Sequence, residues 1–341
     1  MKKILTIIIP TYNMEKYLRR CLDSLIIDEE GMKQLEVLVI NDGSKDSSSQ
    51  IAHEYQDKYP DTFRVIDKEN GNYGSCINRG LKEATGKYVK VLDADDWFDN
   101  ECFAKYIVFL KSVECDMVLT SFNRVYDNGR IINSTIWEVN GNKEFSVENL
   151  PLRNIEMHAI TYKTEMLISM KYNQTEGISY TDTEWSIIPL QKVSKCITCP
   201  LNLYQYLIGR IGQTVQVGLY ERNYWQCLLI CDKIIKECQI EKMSCGAYKY
   251  ITYKFYYFLE GIYRAAIIGN YGKNLKPLID FDKNLKLNYV EIYDRLSTMI
   301  ISQRYPIRYI YLLRKKDYRI GLSFLGVYLL LNKIRSLFRR G

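Results

Sequence analysis

The first 120 residues alternate between short apolar runs and longer stretches whose apolar residues recur with helical spacing. The apolar, β-branched runs predict strands at residues 5–10, 35–40, 63–67, 87–92 and 115–121. The stretches between them predict helices at residues 14–27, 44–58, 73–85 and 100–112. Strands that alternate with helices of this length are typical of βαβ units. The pattern therefore predicts an α/β domain, with a Rossmann-like, mostly parallel sheet and flanking helices.

Polar side chains directly follow the first four predicted strands. These four loops contain Thr11 to Asn13, Asn41 to Ser44, Glu69 to Gly71, and Asp93 to Asp96. Any one of them could be ordinary turn chemistry, since Asp-Gly and Asn-Gly are common turn pairs. Because ligands of parallel sheets collect at the carboxyl ends of the strands, four such loops in succession favour a binding site along that edge.

The rest of the chain has a different pattern. Residues 139–219 mix strand and short-helix signals, and the region that follows reads as helices at residues 223–238, 244–268 and 290–303. We therefore predict three parts: residues 1–219 as the α/β domain, residues 220–305 as a helical region, and residues 306–341 as a basic amphipathic tail.

The tail holds most of the net charge of the protein. Of the overall +7, residues 306–341 contribute +8, with nine Lys or Arg and one acid. Within residues 324–338 one helical face carries four apolar side chains, at Val327, Leu331, Ile334 and Phe338. This is typical of a helix that lies in a membrane interface, although a terminal helix packed on the catalytic domain is the alternative. We expect the partner to be an anionic membrane surface and not nucleic acid.

Two further absences in the sequence bear on location. No secretory signal is recognisable at the N-terminus, and no apolar stretch reaches the roughly 18–20 residues of a membrane-spanning helix. The ten cysteines include a single C-x-x-C and there are only two histidines, which disfavours a zinc site. We expect a cytoplasmic protein that is peripheral at the inner face of the plasma membrane.

The segment KYVKVLDADDW is unusual because Asp93, Asp95 and Asp96 end an apolar strand. Like charges this close raise one another's pKa unless a positive charge lies among them. A helix cap would explain one acid, and a hydrolytic carboxylate pair needs about 5–9 Å between groups on opposite sides of a sugar. Mg²⁺ or Mn²⁺ fits better, since either takes one or two carboxylates and completes its shell with phosphate oxygens. No Walker-type G-x-x-x-x-G-K sequence is present to hold phosphates otherwise.

Three segments together resemble the successive signatures of family 2 inverting glycosyltransferases with a glycosyltransferase A-type fold. They are IIIPTYNMEKYLRRCLDSL, VLVINDGSKDSS and ENGNYGSCINRGLKEATGKYVKVLDADDW. The likeness is dense over residues 5–98 and continues weakly to about residue 217. It implies a UDP-sugar donor, with nine nucleotide-binding residues: Pro10, Thr11, Tyr12, Asn13, Asp42, Asn70, Gly71, Asp93 and Ala94.

The same resemblance implies roles within this set. Asp42 would bond the base, and Asp93 would lean toward the ribose. Asp95 would bind the Mn²⁺ or Mg²⁺ that bridges the diphosphate, and Asp96 would be an alternative or supporting metal ligand.

The general base is implied at EGISYTDTEWS, where Asp182 takes the base position. Thr181 stands where the family has Glu, so the match is imperfect, and Glu184 is the alternative base. Thr181-x-x-Glu184 also reads as a capping box, which would put Asp182 in a first helical turn.

Two other residues have open roles in the sequence. Arg210, in LYQYLIGRIGQTVQ, is a candidate diphosphate contact or a salt-bridged surface arginine. His158 lies where acceptor contacts are plausible, although we expect a structural histidine.

The Gln-x-x-Arg-Trp motif of processive polymer synthases is missing, which favours the addition of a single sugar. The leading interpretation is a hexosyl- or hexosaminyltransferase that acts on a lipid-linked or polysaccharide acceptor in bacterial surface polysaccharide synthesis. One alternative is a nucleotide-sugar-binding or scaffolding protein without transferase activity, suggested by Thr181. Another is a sugar nucleotidyltransferase, disfavoured because PTYNMEKY is not a basic glycine-rich loop.

Overall fold

A computed structural model describes residues 3–134, 143–210, 213, 219–242, 246–269, 274–300 and 307–318. Its contacts group the chain into two compact units, residues 1–213 with 244–254, and residues 214–243 with 255–341. None of the helices in the described residues combines the length and apolarity needed to cross a bilayer.

The first unit contains the sheet and the helices that pack on it. Its strands are β1 (Leu5–Thr11), β2 (Leu35–Asn41), β3 (Phe63–Asp67), β4 (Tyr88–Val91), β5 (Trp97–Phe98), β6 (Met117–Tyr126), β7 (Ile131–Ser134), β8 (Phe145–Ser146), β9 (Ile160–Lys163) and β10 (Lys195–Ile208). Its helices are α1 (Leu18–Asp23), α2 (Glu29–Gln34), α3 (Ser48–Lys58), α4 (Asn72–Glu83), α5 (Asn100–Lys111), α6 (Thr164–Ser169) and α7 (Asp182–Trp185).

The strands pair in the order β3-β2-β1-β4-β9-β6-β10-β5, and β7 and β8 add to β6 and β10. The first four are parallel, with Ile8 of β1 opposite both Leu38 of β2 and Val91 of β4. β9 is antiparallel to β4 and β6, whereas β10 is parallel to β6. The predicted α/β class with a mostly parallel sheet is confirmed, because β1, β2 and β4 are almost entirely buried apolar runs that only a covered sheet accommodates.

The order of the sheet departs from chain order at one point. The strand predicted at residues 115–121 is β6, but β9 lies between it and β4. β9 is only four residues long, and it falls in the region whose pattern is irregular. A strand of that length has too few positions to display a period of two.

The helix predicted at residues 14–27 is much shorter in the structure, where α1 covers only Leu18–Asp23. Asn13 has a positive φ of 55°. The Met14 backbone N–H donates to Ser48 Oγ (2.7 Å), and that of Glu15 donates to Asp46 Oδ2 (3.0 Å). These side chains bind the N–H groups of a turn that joins the loops after β1 and β2.

The second unit is helical in its described residues. It contains α8 (Leu219–Cys238), the end of α9 (Tyr248–Arg264) with a π-helical turn (Ala265–Gly269), α10 (Lys276–Asn288), α11 (Val290–Ser297) and α12 (Tyr309–Lys315). The predicted tail reaches into α12, and its residues 319–341 lie outside the described residues.

A buried acid joins three helices of this unit. Asp282 on α10 is fully buried and accepts hydrogen bonds from Arg314 Nε (2.9 Å) and Nη2 (2.5 Å) of α12. The hydroxyls of Tyr263 on α9 and of Tyr318 also donate to this carboxylate. Removing one partner of a buried ion pair leaves the other charge without compensation, which is more costly than the pair itself is stabilising.

We therefore expect Asp282→Ala to lower the free energy of unfolding by about 3–5 kcal/mol, measured by urea denaturation. The control is Asp280→Ala, an exposed acid on the same helix, for which we expect a change of less than about 0.5 kcal/mol. Equal effects of the two substitutions would contradict this account of Asp282.

Candidate active site

The loops after β1 and β2 are tied together by hydrogen bonds at the carboxyl edge of the sheet. Asn13 Oδ1 accepts from the Lys45 backbone N–H (2.8 Å), and Ser44 Oγ accepts from the Asn13 N–H (3.1 Å). Thr11 is buried at the end of β1, whereas the Tyr12 ring next to it is 45% exposed. Pro10, the preceding predicted site residue, is the partly exposed penultimate residue of β1.

Asp42 connects the loops after β2 and β3. Its buried carboxylate accepts from Lys68 Nζ (2.5 Å) and from the Gly71 N–H (2.9 Å) through the same oxygen, Oδ1. Asn70 Nδ2 donates to the Asp42 carbonyl (2.9 Å). The structure thus brings Asp42, Asn70 and Gly71 together, as the strand-end argument predicted.

The acidic turn after β4 is held by two tyrosines. Tyr73 OH donates to Asp93 Oδ1 (2.8 Å), and Tyr204 OH donates to Asp96 Oδ2 (2.6 Å). The other Asp96 oxygen accepts from the Leu207 N–H (2.7 Å), and its side chain is fully buried. Asp96 therefore binds the end of β4 to β10.

Two carboxyl groups of this turn, those of Asp93 and Asp96, have raised pKa values. Burial, and next the charge of Asp95, raise the pKa of Asp93 to about 6. Burial, together with the charges of Asp95 and Asp93, raises the pKa of Asp96 well above its ordinary value. Ala94 is buried between the acids. A cation that binds in the turn would stabilise the ionised forms of these buried carboxyl groups.

Two arginines of the chain supply positive charge beside the acidic turn. Arg210 Nε donates to Asp95 Oδ2 in an ion pair whose side chains are 13% and 10% exposed. Arg20 Nη2 donates to the Asp95 carbonyl (2.9 Å), and its guanidinium carbon lies 3.7 Å from the Trp97 ring centroid. Arg210 is salt-bridged, but to a D-x-D carboxylate instead of a surface acid.

His158, for which the sequence favoured a structural role over acceptor contacts, lies beside the acidic turn. One ligand atom from each of Asp93, Asp96 and His158 lies within 4.8 Å of the others, a grouping that could hold a metal ion. The imidazole stacks on the Tyr206 ring (centroids 4.3 Å apart), and its Nδ1 lies 3.6 Å from Glu156 Oε2. The one signal in the sequence was a histidine within the largely apolar run MHAITY, which does not reveal what it faces.

Asp182 is the first residue of α7, and its side chain is exposed. The surrounding protein still removes enough water to raise the pKa of this carboxyl, while the positive charges of His158 and Lys254 lower it. Asp182 also helps to raise the pKa of Asp93, so the two acids are electrostatically coupled. An accessible carboxylate with a raised pKa can accept a proton from a bound molecule.

The capping box considered for this helix does not form. Thr181 Oγ1 donates to Gln174 Oε1 (3.1 Å) instead of capping α7. Glu184 is fully buried, and its Oε2 accepts from the Thr175 N–H (3.0 Å). Asp182 is therefore the accessible acid of the two base candidates.

Two buried lysines hold the segment that carries His158. Lys90 Nζ on β4 donates to the carbonyls of His158 (2.7 Å) and Ile160 (3.2 Å), and Lys254 Nζ on α9 donates to that of Ile155. Burial lowers the pKa of Lys90 to about 7 and that of Lys254 to about 8. Lys254 was assigned to a separate helical region by sequence, yet it packs within the first unit.

The donor atoms at this turn suit a hard or borderline divalent cation. Carboxylate oxygens from the acidic turn and an imidazole nitrogen are ligands that Mn²⁺ accepts, and Mg²⁺ prefers the oxygens. In the described residues the grouping of Asp93, Asp96 and His158 has suitable proximity, and Asp95 lies on the same turn.

Residues 6–170 match the sequence profile of Glycosyl transferase family 2. This segment belongs to that family. The chain is 39% identical over 123 residues to an uncharacterized glycosyltransferase, MG025, of Mycoplasma genitalium, covering 36% of this chain and 40% of the relative. The chain is 32% identical over 232 residues to the minor teichoic acid biosynthesis protein GgaB of Bacillus subtilis, covering 66% of this chain and 25% of the relative. It thus spans less than half the length of these two curated relatives.

Solved structures share the fold of the chain. Residues 1–349 of TarS from S. aureus, in complex with UDP-GlcNAc, match with a TM-score of 0.62 and 22% identity, over 82% of this chain and 81% of that one. The mannosyltransferase PcManGT of Pyrobaculum calidifontis, in complex with GDP-Man and Mn²⁺, matches with a TM-score of 0.52 and 15% identity, over 88% and 84%. The predicted glycosyltransferase A-type fold is confirmed.

Asn78 on α4 attaches the segment before Asp182 to this helix. Asn78 Nδ2 donates to the Gln174 carbonyl (2.9 Å), and its Oδ1 accepts from the Gln174 N–H (2.7 Å). Gly74 lies one helical turn earlier, where an added Cβ would be 2.1 Å from the Thr175 carbonyl oxygen. The loop that leads to α7 is therefore positioned by backbone contacts with α4.

We expect Asn78→Ala to lower the free energy of unfolding by about 1–3 kcal/mol, since two backbone groups lose their partner. The neighbouring exposed Arg79→Ala removes a surface pair with Glu83 and should cost less than about 1 kcal/mol. Chemical denaturation of both variants measures the difference, and a loss for Asn78→Ala no larger than that for Arg79→Ala would refute the attachment.

Proposed function

We propose that the chain transfers one sugar from a UDP-sugar to a lipid-linked or polysaccharide acceptor, with inversion and with a divalent cation. The observation that carries the proposal is Asp182, an exposed carboxylate that is coupled electrostatically to Asp93 of the D-x-D turn. A direct displacement needs a base near the point where the donor diphosphate is held, and this arrangement supplies one. We assign the transfer to residues 1–219.

The nucleotide would lie along the carboxyl edge of the sheet. We assign its contacts to the loops after the first four strands, at Pro10, Thr11, Tyr12, Asn13, Asp42, Asn70, Gly71, Asp93 and Ala94. The proposal is supported by the bonds that already join these loops, since prearranged groups lose little freedom on binding. UDP as the nucleotide is supported by the fold shared with TarS, which has been crystallised with UDP-GlcNAc.

We assign cation binding to Asp95, with Asp96 as a supporting ligand. Mn²⁺ or Mg²⁺ there would neutralise the charge that develops on the departing diphosphate. The Mn²⁺ complex of PcManGT supports this choice of ion. Asp96 contributes mainly by fixing the turn, since both its oxygens already accept hydrogen bonds.

In the reaction, the oxygen of an acceptor hydroxyl forms a bond to the anomeric carbon from the face opposite the diphosphate. Asp182 accepts the hydroxyl proton as this bond forms. The bond between the anomeric carbon and the diphosphate oxygen breaks, and its electron pair leaves with the UDP. One displacement inverts the anomeric configuration, so no covalent enzyme intermediate is required.

The acceptor class is supported by the relative GgaB, whose name assigns it to teichoic acid biosynthesis. A basic tail would keep the enzyme near a lipid-linked acceptor. We propose peripheral attachment at the inner face of the plasma membrane through residues 306–341. The charge of +8 in that segment supports attraction to anionic lipid.

We expect Asp182→Asn to reduce the rate of sugar transfer by at least about 100-fold while UDP binding is retained, because only the proton acceptor is lost. Turnover is followed by UDP release from a panel of UDP-sugars with Mn²⁺, and binding by calorimetry. Glu165→Gln is the control, an exposed acid in the first turn of another helix, α6. Full turnover by Asp182→Asn would exclude this residue as the base.

A second prediction concerns pH. The base works only when ionised, so activity falls as pH drops through the pKa of Asp182, which is raised because the surrounding protein removes water from the carboxyl group. His158 and Lys254 oppose that rise, while Asp93 and Tyr73 are the other titratable groups coupled to Asp182. Lys254→Met should therefore move the acidic limb of the pH–rate profile upward, by up to about one pH unit.

The control for this profile is Lys249→Met, which removes an exposed lysine from the same helix and should leave the acidic limb in place. An acidic limb that stays unchanged in Lys254→Met would show that Lys254 does not influence the base.

A further inference from the structure

The ion pair between Arg210 and Asp95 occupies the carboxylate to which the proposed function assigns the cation. Both side chains are mostly buried, so little water competes for either charge. A divalent cation at Asp95 would lie close to a guanidinium of the same sign. Arg210 and the cation therefore compete for one carboxylate.

We propose that Arg210 blocks cation binding at Asp95. A divalent cation then binds tightly only when a nucleoside diphosphate replaces Asp95 as the partner of Arg210. The inference rests on the proposed function and adds a rule for the order of binding. Without nucleotide the guanidinium is the counter-ion of the acidic turn. With nucleotide, the cation replaces it at Asp95 and the diphosphate becomes the partner of Arg210.

The two arginines at Asp95 are held in different ways, and only one is suited to leave. Arg20 donates to the Asp95 carbonyl and lies against the Trp97 ring, so its position does not depend on the carboxylate. Arg210 bonds the carboxylate itself, and its guanidinium carbon lies 5.5 Å from the Tyr17 ring centroid. A second anion can therefore take the place of the Asp95 carboxylate as the partner of Arg210.

The backbone that precedes Arg210 is anchored by contacts that do not involve its side chain. Gln213 Oε1 accepts from the Gly209 N–H (2.9 Å), and Gln213 Nε2 donates to the Leu207 carbonyl (2.6 Å). The Leu207 N–H is in turn bonded to Asp96. Gly209 has a φ of +106°, a conformation that side chains rarely adopt. The long side chain of Arg210 can therefore exchange partners while the backbone before it stays beside the acidic turn.

When Arg210 moves from Asp95 to a diphosphate and a cation replaces it, each charged group still has a partner of opposite sign. If Arg210 left without a replacement, buried carboxylates would lose their counter-ion, which is unfavourable. A cation that entered without an anion would place like charges together. A diphosphate with its cation resolves both, since guanidinium groups bind phosphate through two parallel hydrogen bonds. Cation and nucleotide binding should then be positively coupled, by the same factor in both directions.

The test measures Mn²⁺ binding to the full-length chain, by the electron paramagnetic resonance signal of free Mn²⁺, with and without saturating UDP. We expect UDP to tighten Mn²⁺ binding to the unaltered protein by at least about 10-fold, a usual size for such coupling. Arg210→Gln should bind Mn²⁺ about 5–50-fold more tightly than the unaltered protein without UDP, and should lose most of the tightening by UDP. Arg130→Gln, an exposed arginine of the same unit, should behave as the unaltered protein does.

Two further variants separate the outcomes. Arg210→Lys keeps the charge and should keep Mn²⁺ binding weak without UDP. That result would show that a positively charged side chain at this position is enough to weaken Mn²⁺ binding in the folded protein. Asp95→Asn should lose Mn²⁺ binding in both conditions. If Arg210→Gln has the Mn²⁺ affinity and UDP coupling of the unaltered protein, the proposal that Arg210 blocks Asp95 is refuted, while the proposed function stands. If the unaltered protein binds no Mn²⁺ even with UDP, the metal assignment fails, and this inference with it.

Discussion

The buried carboxylate of Asp96 is the contact on which the site depends. It accepts from Tyr204 OH and from the Leu207 N–H, so the end of β4 is joined to β10 although the two strands are not neighbours in the sheet. Because an unpaired buried carboxylate is very unfavourable, this connection holds the acidic turn and the root of Arg210 in one arrangement. The remaining acids of the turn are positioned by Tyr73, which donates to Asp93, and by Arg210, which pairs with Asp95.

Positive groups surround this turn without filling it. Arg210 pairs with Asp95, and Lys90 and Lys254 hold the backbone of residues 155–160. His158 lies close to Asp93 and Asp96 and interacts electrostatically with Asp182. Burial lowers the pKa of both lysines, and burial with the charge of Asp95 raises that of Asp93. Such a site is arranged to exchange charged partners, which is what binding a nucleotide with its cation and releasing it again requires.

Elements with a strong repeating pattern were predicted well. The five strands and the helices α3, α4 and α5 were found within a few residues of their predicted bounds, because each strand contains a contiguous apolar run and each helix has enough positions to display its period. The predicted helix at residues 14–27 was too long, because Asp46 in the loop after β2 and Ser48 at the start of α3 bind the N–H groups of its first residues. The capping box at Thr181 was wrong for a similar reason, since Gln174 offers that hydroxyl a tertiary partner.

The sequence by itself determined the α/β class, the family and the edge of the sheet where polar loops gather, because strand and helix periods and contiguous motifs are local properties. Only the tertiary structure decided that His158 and Lys254 approach Asp182, that Glu184 is buried, and that Arg210 is the counter-ion of Asp95. These residues are separated by tens to more than a hundred positions, and no local rule relates their spacing. Their meeting depends on β9 and β10 entering the sheet beside β4 and β6, which follows from packing and not from pattern.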